Sequence, residues 1–311
     1  MGAGKEIVQY EPVYDFSEIT GQFFWKEVLG GMIHEEFSDE FLGMQTARGI
    51  LLTGPEGFGK TTLGQAYLGE LRKRQYNTLY IRRSQLRSWK DQPEKLAEEV
   101  CTKCRTYLKS AVFFDDVEIL EELPELAESL AEGFESLLEN DVRTIWIFAA
   151  KEITSLPEDL KNRCLLCEVK EPGLEERMEF FNGIDVISGH SERSVEQMAR
   201  ETEGCSMGEL SRMAYYLLMC LKQELLRKYG QDFAQIQKML KNRTSILSGT
   251  LFEQALQKIR KAEVQPVQQA VYPPYVMMQS GSGQPEQEMY KKSEEVQPEN
   301  EDDWMDEIDD L

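Results

Sequence analysis

Gly54-Pro55-Glu56-Gly57-Phe58-Gly59-Lys60-Thr61-Thr62 follows the apolar run Gly49-Ile50-Leu51-Leu52 and precedes the helix-compatible stretch Leu63 to Leu71. The nine residues satisfy G-x-x-x-x-G-K-[ST], and a strand before with a helix after is the context that this spacing requires. Glycines let successive backbone N–H groups converge on one phosphate, because a Cβ would block the approach. The loop ends at a helix N-terminus, whose dipole favours an anion. Lys60 is placed to pair with the β- and γ-phosphates of a nucleotide, and the Thr61 hydroxyl to sit on Mg²⁺.

A second stretch, Ala111-Val112-Phe113-Phe114-Asp115-Asp116, is an apolar strand ending in two carboxylates. Beside a phosphate loop, the first acid is expected to hold Mg²⁺, usually through water. Asp115 takes that place. Asp116, the next residue, stands where hydrolysis needs a general base for the attacking water.

Working outward, five short apolar runs read as strands: Ile50–Thr53, Thr78–Ile81, Val112–Phe114, Ile145–Ala149 and Leu165–Val169. Their continuous β-branched and aromatic character suits strands buried on both faces. Helical patterns such as Pro93–Lys109 and Leu123–Glu139 lie between them. The alternation predicts an α/β unit with a parallel sheet and helices on both faces, over residues 15–172. Residues 1–14 form a short arm before it. After Glu171-Pro172-Gly173 the strand signal ends. Met207, Leu210, Met213, Ala214, Leu217, Leu218 and Leu221 recur at helical spacing, as do Phe252, Ala255, Leu256 and Ile259. This predicts a small all-helical subdomain over 173–263. Residues 264–311 lose periodicity, turn rich in Gln, Pro, Ser, Gly and Glu, and read as disordered. Within them Trp304, Ile308 and Leu311 fall at i, i+4 and i+7 among acidic neighbours. That end reads either as an amphipathic turn for a groove or as a solvated acidic tail.

Net charge is −21, of which −10 falls between Ser280 and Leu311. An acidic body and an acidic tail both argue against a broad nucleic-acid face. The local run Arg72, Lys73, Arg74, Arg82, Arg83, Arg87 and Lys90 reads mainly as solvated helix and loop positions. Six cysteines include the pairs Cys101/Cys104 and Cys164/Cys167. Fifty-nine residues separate the pairs, far from the ~15–20 of a zinc module, so ordinary thiols are expected. No apolar run approaches the ~18 residues of a membrane helix. The N-terminus lacks an apolar signal core and carries Glu6 where a myristoylation signal has Ser or Thr, so the expected compartment is the cytoplasm.

From Asp15 to about Lys261 the chain resembles AAA+ ATPases, and within them the AAA subgroup of protein-remodelling enzymes that includes spastin and katanin. Beyond the phosphate loop and Asp115-Asp116, five segments carry the likeness. Asp15-Phe16-Ser17-Glu18-Ile19-Thr20-Gly21 resembles the opening segment, whose backbone, Ile19 included, lies near the adenine. Ser84-Gln85-Leu86-Arg87-Ser88-Trp89 resembles the approach to the first pore loop, with Trp89 as the aromatic that grips a threaded polypeptide. Leu160-Lys161-Asn162-Arg163-Cys164 resembles the arginine-finger segment. Gly204 to Leu210 resembles the start of the lid helix near the nucleotide, and Phe252 to Leu256 the final lid helix. The resemblance implies the P-loop NTPase fold with a helical lid. It also implies ATP and Mg²⁺ as ligands, a homo-oligomeric ring, commonly hexameric, and Arg163 reaching the neighbour's γ-phosphate. A protein client or adaptor is implied too. Only about 14 residues precede Asp15, which leads to the expectation that client choice lies in the tail, the pore or an adaptor.

The chain departs from that pattern at four places. Asp116 stands where the family has Glu, one methylene longer. Ala149-Ala150-Lys151-Glu152 lacks the sensor asparagine. Asn162 precedes Arg163 where two arginines are usual. Lys90-Asp91-Gln92-Pro93 lacks the glycine after the pore aromatic. These departures fall on hydrolysis and translocation and leave two readings: a hydrolysing motor, or a nucleotide-binding switch with slow or no turnover.

Overall fold

In the computed structural model, the residues described are 7–34, 47–242 and 245–262. The expected tail and its Trp304 motif lie outside them. Five strands form one parallel sheet: β1 (Gly49–Thr53), β2 (Asn77–Ile81), β3 (Ser110–Phe114), β4 (Thr144–Ala150) and β5 (Cys164–Glu168). The order across the sheet is β2-β3-β4-β1-β5.

Every residue of β1, β3 and β4 is buried, which is why these strands are apolar but for an end residue (Thr53, Ser110 and Thr144) and do not alternate. Alternation decides which face each side chain serves. Ile50, Leu52, Ala111, Phe113, Ile145 and Ile147 pack with Leu63, Ala66, Tyr67 and Leu71 of α2. Leu51, Val112, Phe114, Trp146 and Phe148 enter a second core with helices of the other face.

Helix α1 (Phe23–Met32) precedes β1, and α2 (Lys60–Lys73) follows the phosphate loop. The one-and-a-half-turn helix α3 (Arg83–Ser88) follows β2. α4 (Pro93–Thr106) starts with Pro at its first helical position, where its missing N–H costs nothing. It buries Leu96, Ala97, Val100, Cys101 and Cys104 along one stripe. It stops at Thr106, short of the expected Lys109, because Tyr107 is extended and Ser110 already begins β3. A single turn, α5 (Ile119–Glu122), leads to α6 (Pro124–Glu139), whose Leu130, Phe134 and Leu137 close the same core. The short α7 (Glu158–Lys161) precedes β5.

The arm residues 7–14 lie along the edge of the sheet. Tyr10 N–H donates to the Thr78 carbonyl at 2.8 Å, and Gln9 bridges Leu79.

Beyond β5 the described residues are helical apart from one isolated bridge, Ser191 to Leu247. They comprise α8 (Leu174–Asn182), α9 (Asp185–Ser188), α10 (Val195–Glu201), α11 (Met207–Tyr229), α12 (Phe233–Lys241) and α13 (Gly249–Ala262). Phe181, Met213, Leu217 and Phe252 join in their own core. Arg177 of α8 is buried, and it donates to the Ala199 and Pro172 carbonyls at 2.7 and 2.6 Å. The bond to Pro172 ties α8 to the chain leaving the sheet, and the bond to Ala199 ties it to α10.

Candidate nucleotide site

The sheet order brings three carboxyl ends side by side. β1 runs into the phosphate loop, β3 into Asp115-Asp116, and β4, between them, into Lys151. Ligands of open parallel sheets bind at this edge.

Two loop glycines are dictated by geometry. A Cβ on Gly54 would lie 2.3 Å from the Val169 carbonyl oxygen, and Gly59 has φ of 97° at the N-cap of α2. Lys60 is only 9% exposed. Its Nζ donates to the Gly54 and Pro55 carbonyls at 2.7 and 2.8 Å. Burial pushes its pKa down, while the carboxylates of Glu118, Asp116 and Asp115 push it up. A cation removed from water needs such partners.

The Thr61 hydroxyl donates to Asp115 Oδ1 at 2.9 Å, and the Tyr80 hydroxyl donates to Asp115 Oδ2 at 2.7 Å. Asp115 is 7% exposed, and burial raises its pKa despite these two donors. A desolvated carboxylate beside a hydroxyl is the hard-oxygen donor set that suits Mg²⁺. The residues therefore fit the metal that the sequence implied.

Asp116 follows in the left-handed region with φ of 53°, a conformation Asp tolerates better than most residues. Burial raises its pKa first and the Glu118 charge adds to this, with Arg83 and Lys60 opposing.

The other walls of the site come from distant segments. Ile19 is buried against the core shared by β1 and α2. Just after it, Gly21 N–H donates to Glu179 of α8 at 2.7 Å, and Phe23 N–H to Glu176 at 3.3 Å. Helix α11 starts on the loop itself. Ser206 caps it in a reciprocal pair with Glu209, and Gly208 N–H donates to the Gly57 carbonyl at 2.8 Å.

The structure thus brings Gly54 to Thr62, Asp115, Asp116 and Ile19 into one region. It does not bring Arg163 there. Arg163 immediately precedes β5, and Cys164 is level with Gly49 at the start of β1. Five strand residues at ~3.3 Å each separate it by roughly 16 Å from the loop end of its own sheet. Its side chain is 37% exposed, and its guanidinium pairs with Glu135 of α6.

Trp89 is a correction. The resemblance led to an exposed aromatic, yet Trp89 is 7% exposed and belongs to the core with Leu86, Leu96 and Val117. The chain turns from α3 towards α4 at this residue, and the indole fills the gap beneath that turn. In this structure it presents no face to a polypeptide.

Four participants were missed from sequence: Tyr80, Glu118, Glu56 as an ion-pairing residue, and Lys151. Tyr80 pairs in register with Phe113, two residues before Asp115. Period-two geometry puts Tyr80 and Asp115 on one face, a signal visible only once β2 is known to flank β3. Cys101 and Cys104 lie in one core with Cys164 packed against it, and Cys167 lies in the core of the other face. Burial pushes the thiol of Cys101 up to about 11 and those of Cys164 and Cys167 to about 12. Among the described residues no group of three or more His, Cys, Asp or Glu is arranged to hold a metal ion.

Comparison with known proteins agrees with this geometry. Residues 50–170 match the model of the ATPase family associated with various cellular activities (AAA). Over those residues the chain is similar to AAA ATPase domains. Spastin of Xenopus laevis is 26% identical over 230 residues, 68% of this chain and 37% of spastin. Spastin of Gallus gallus is also 26% identical over 230 residues, 68% of this chain and 36% of that protein. The chain therefore spans a little over a third of the curated relatives it matches. Among solved structures, the FIGL-1 AAA domain in complex with ADP superposes with a TM-score of 0.62 at 19% identity, covering 85% of this chain and 89% of that one. A structure described as the basis for katanin self-assembly gives 0.57 at 20% identity, covering 78% and 84%. These likenesses show the AAA fold. Among the described residues no helix is long and apolar enough to cross a membrane.

Proposed function

We propose that this AAA domain binds MgATP at the end of β1 and hydrolyses it at a boundary between copies of the chain, using the energy to remodel a protein partner. The observation that carries the reading is the hydrogen bond from Thr61 of the loop to Asp115 of β3, 2.9 Å long, with Lys60 buried alongside. The site spans residues 15–172 as the α/β body, with residues 173–263 as the lid.

In the proposed reaction the loop amides and Lys60 bind the phosphates, and Thr61 and Asp115 would hold Mg²⁺. When held there, the metal would offset negative charge that develops on the phosphates. Ile19 and the segment up to Gly21 would line the adenine side. Asp116 accepts a proton from water as the water oxygen attacks the γ-phosphorus. The bond from that phosphorus to the bridging oxygen breaks, leaving ADP and phosphate. Arg163 is too far from its own loop to assist there. Its position at the opposite end of the sheet suits a contact with a neighbouring copy, where a guanidinium offsets transition-state charge. The solved katanin self-assembly structure makes a homo-oligomer, hexameric by the resemblance, the natural context for that role. The acidic net charge of −21 makes nucleic acid a poor partner.

One observation favours a second reading, an ATP-dependent switch with little turnover. Asp116 is a methylene shorter than the expected Glu, and geometry governs a general base before pKa does. Calorimetry with MgATP and MgADP tests binding, and ATPase rate against protein concentration tests shared sites. A steep rise supports hydrolysis between copies. Binding without turnover, unchanged by Asp116→Glu, favours the switch. Absence of heat with either nucleotide ends both readings.

A further inference from the structure

The helical part of the chain carries a cleft of its own, outside the nucleotide site. It lies between α11 and α13 and measures about 260 Å³. That is below the ~300–1,000 Å³ of a small-molecule pocket and suits one large side chain of a peptide. Its apolar surface comes from Met213 and Met219 of α11 and from Ala255 and Ile259 of α13. Tyr215 stands 45% exposed on its wall. The charged side chains that line it are cations. Lys258 Nζ donates to the Tyr216 hydroxyl at 3.0 Å and sits 4.2 Å from the centre of that ring, so the aromatic face holds the ammonium at the rim. The Nε of Arg212 is buried and has no hydrogen-bond acceptor among the described residues. No carboxylate of the described residues pairs with either cation. An arriving acceptor relieves the cost of that unmatched donor.

A cationic cleft with an aromatic rim selects a ligand that is both acidic and apolar. Residues 301–311 have that chemistry. Seven of the eleven are Asp or Glu, none is basic, and Trp304, Ile308 and Leu311 recur at i, i+4 and i+7. We propose that the cleft between α11 and α13 receives residues 301–311 of a second copy of the chain, with the Trp304 indole in the cleft and the flanking carboxylates on Arg212 and Lys258. Tryptophan seated in a pocket commonly dominates such a contact, and the i, i+4, i+7 spacing suits a segment laid in a groove between helices. The Arg212 guanidinium offers a carboxylate two parallel donors. Charge favours a second copy as the source. Copies that each carry −21 repel one another, and seating the acids of one on the cations of the next turns part of that repulsion into attraction. No nucleotide enters this contact, which goes beyond the reaction above.

The test uses the nucleotide-free full chain. Sedimentation velocity follows the self-association of wild type, Trp304→Ala, Lys258→Gln and the Arg212→Gln/Lys258→Gln double variant, with thermal midpoints to check folding. Anisotropy of a dye-labelled synthetic peptide of sequence 301–311 reads the same contact directly. Wild type is expected to associate as concentration rises. Trp304→Ala and the double variant should each need at least about tenfold more protein, as for loss of an aromatic anchor or of charge-assisted contacts. An equimolar mixture of those two should form a mixed dimer, because each supplies what the other lacks. Lys258→Gln alone should weaken the peptide about threefold, and added salt should weaken it more in wild type than in the double variant. Association that none of the substitutions moves overturns the proposal. So does peptide binding that Lys258→Gln and the double variant leave unchanged, since the acidic segment would then sit elsewhere. A wild type that stays monomeric overturns it as well, because the occupant is then not a second copy. With no nucleotide in any arm, failure here leaves the nucleotide reading intact.

Discussion

At the carboxyl end of the sheet Lys60, Thr61, Tyr80 and Asp115 are linked through hydrogen bonds of 2.7–2.9 Å to one another or to loop carbonyls. At the amino end Arg163 meets Glu135 in a half-open pair, and away from both ends Trp89 is sealed in the core. The first group is defined by what its members do to each other. The other two were singled out for what they would do to a second molecule. A chain folded alone dictates the first arrangement fully, because burying charge demands partners. It leaves the second open, because nothing within one copy requires Arg163 to point anywhere in particular.

Four experiments bear on that contrast. The largest expected effect is on turnover. Arg163→Ala is expected to lower ATPase activity about 10³-fold if the guanidinium acts on a neighbour's nucleotide. Folding stability should change by less than about 1 kcal/mol, since an exposed pair is worth little. Unchanged turnover in a protein that does hydrolyse ATP would show the amino end to be inert. Next, Trp89→Ala should cost about 3–5 kcal/mol in urea unfolding, the range for emptying an aromatic site in a core. A loss under about 1 kcal/mol would return Trp89 to the surface and to the pore role. Third, Lys60→Ala should weaken MgATP at least about thirtyfold, the equivalent of removing one partner of a buried charge set. Little change by calorimetry would mean that the amides alone hold the phosphates.

The smallest effect concerns pH. Burial and Glu118 raise the Asp116 pKa above the ordinary 3.8. A base must be ionised, so turnover should fall as pH drops through a value above 3.8, and Asp116→Asn should remove that limb. The stability linkage has the opposite sense. The native state holds this proton more tightly than the unfolded chain, so the group's favourable contribution exists at low pH and is lost as pH rises through the folded value. An acid limb at or below the ordinary carboxylate range would show Asp116 to be solvated and idle.

Much of this was legible from local pattern. The phosphate loop, Asp115, Asp116, the five strands and the two helical stripes were all readable, because apolar runs and a nine-residue motif carry their own context. Strand ends moved by a residue or so: β5 runs Cys164–Glu168 where Leu165–Val169 was expected. Such shifts reflect pairing register, which is set by neighbours rather than by composition. Tyr80, Glu118 and Lys151 were not legible, because their meeting depends on β4 lying between β3 and β1, an order that no single segment encodes. Trp89 was misread for a related reason: adjacency to a helix end says nothing of what packs over it.

The hydrogen bond from Gly208 N–H to the Gly57 carbonyl has a mechanical corollary. Gly208 is the second residue of a 23-residue helix, a rod about 34 Å long at 1.5 Å per residue. Whatever reshapes the loop around Gly57 pulls on the foot of that rod. A tilt of about 5° there displaces the far tip by about 3 Å, so a sub-ångström adjustment next to a phosphate is amplified at Tyr229 into a stroke large enough for another molecule to feel.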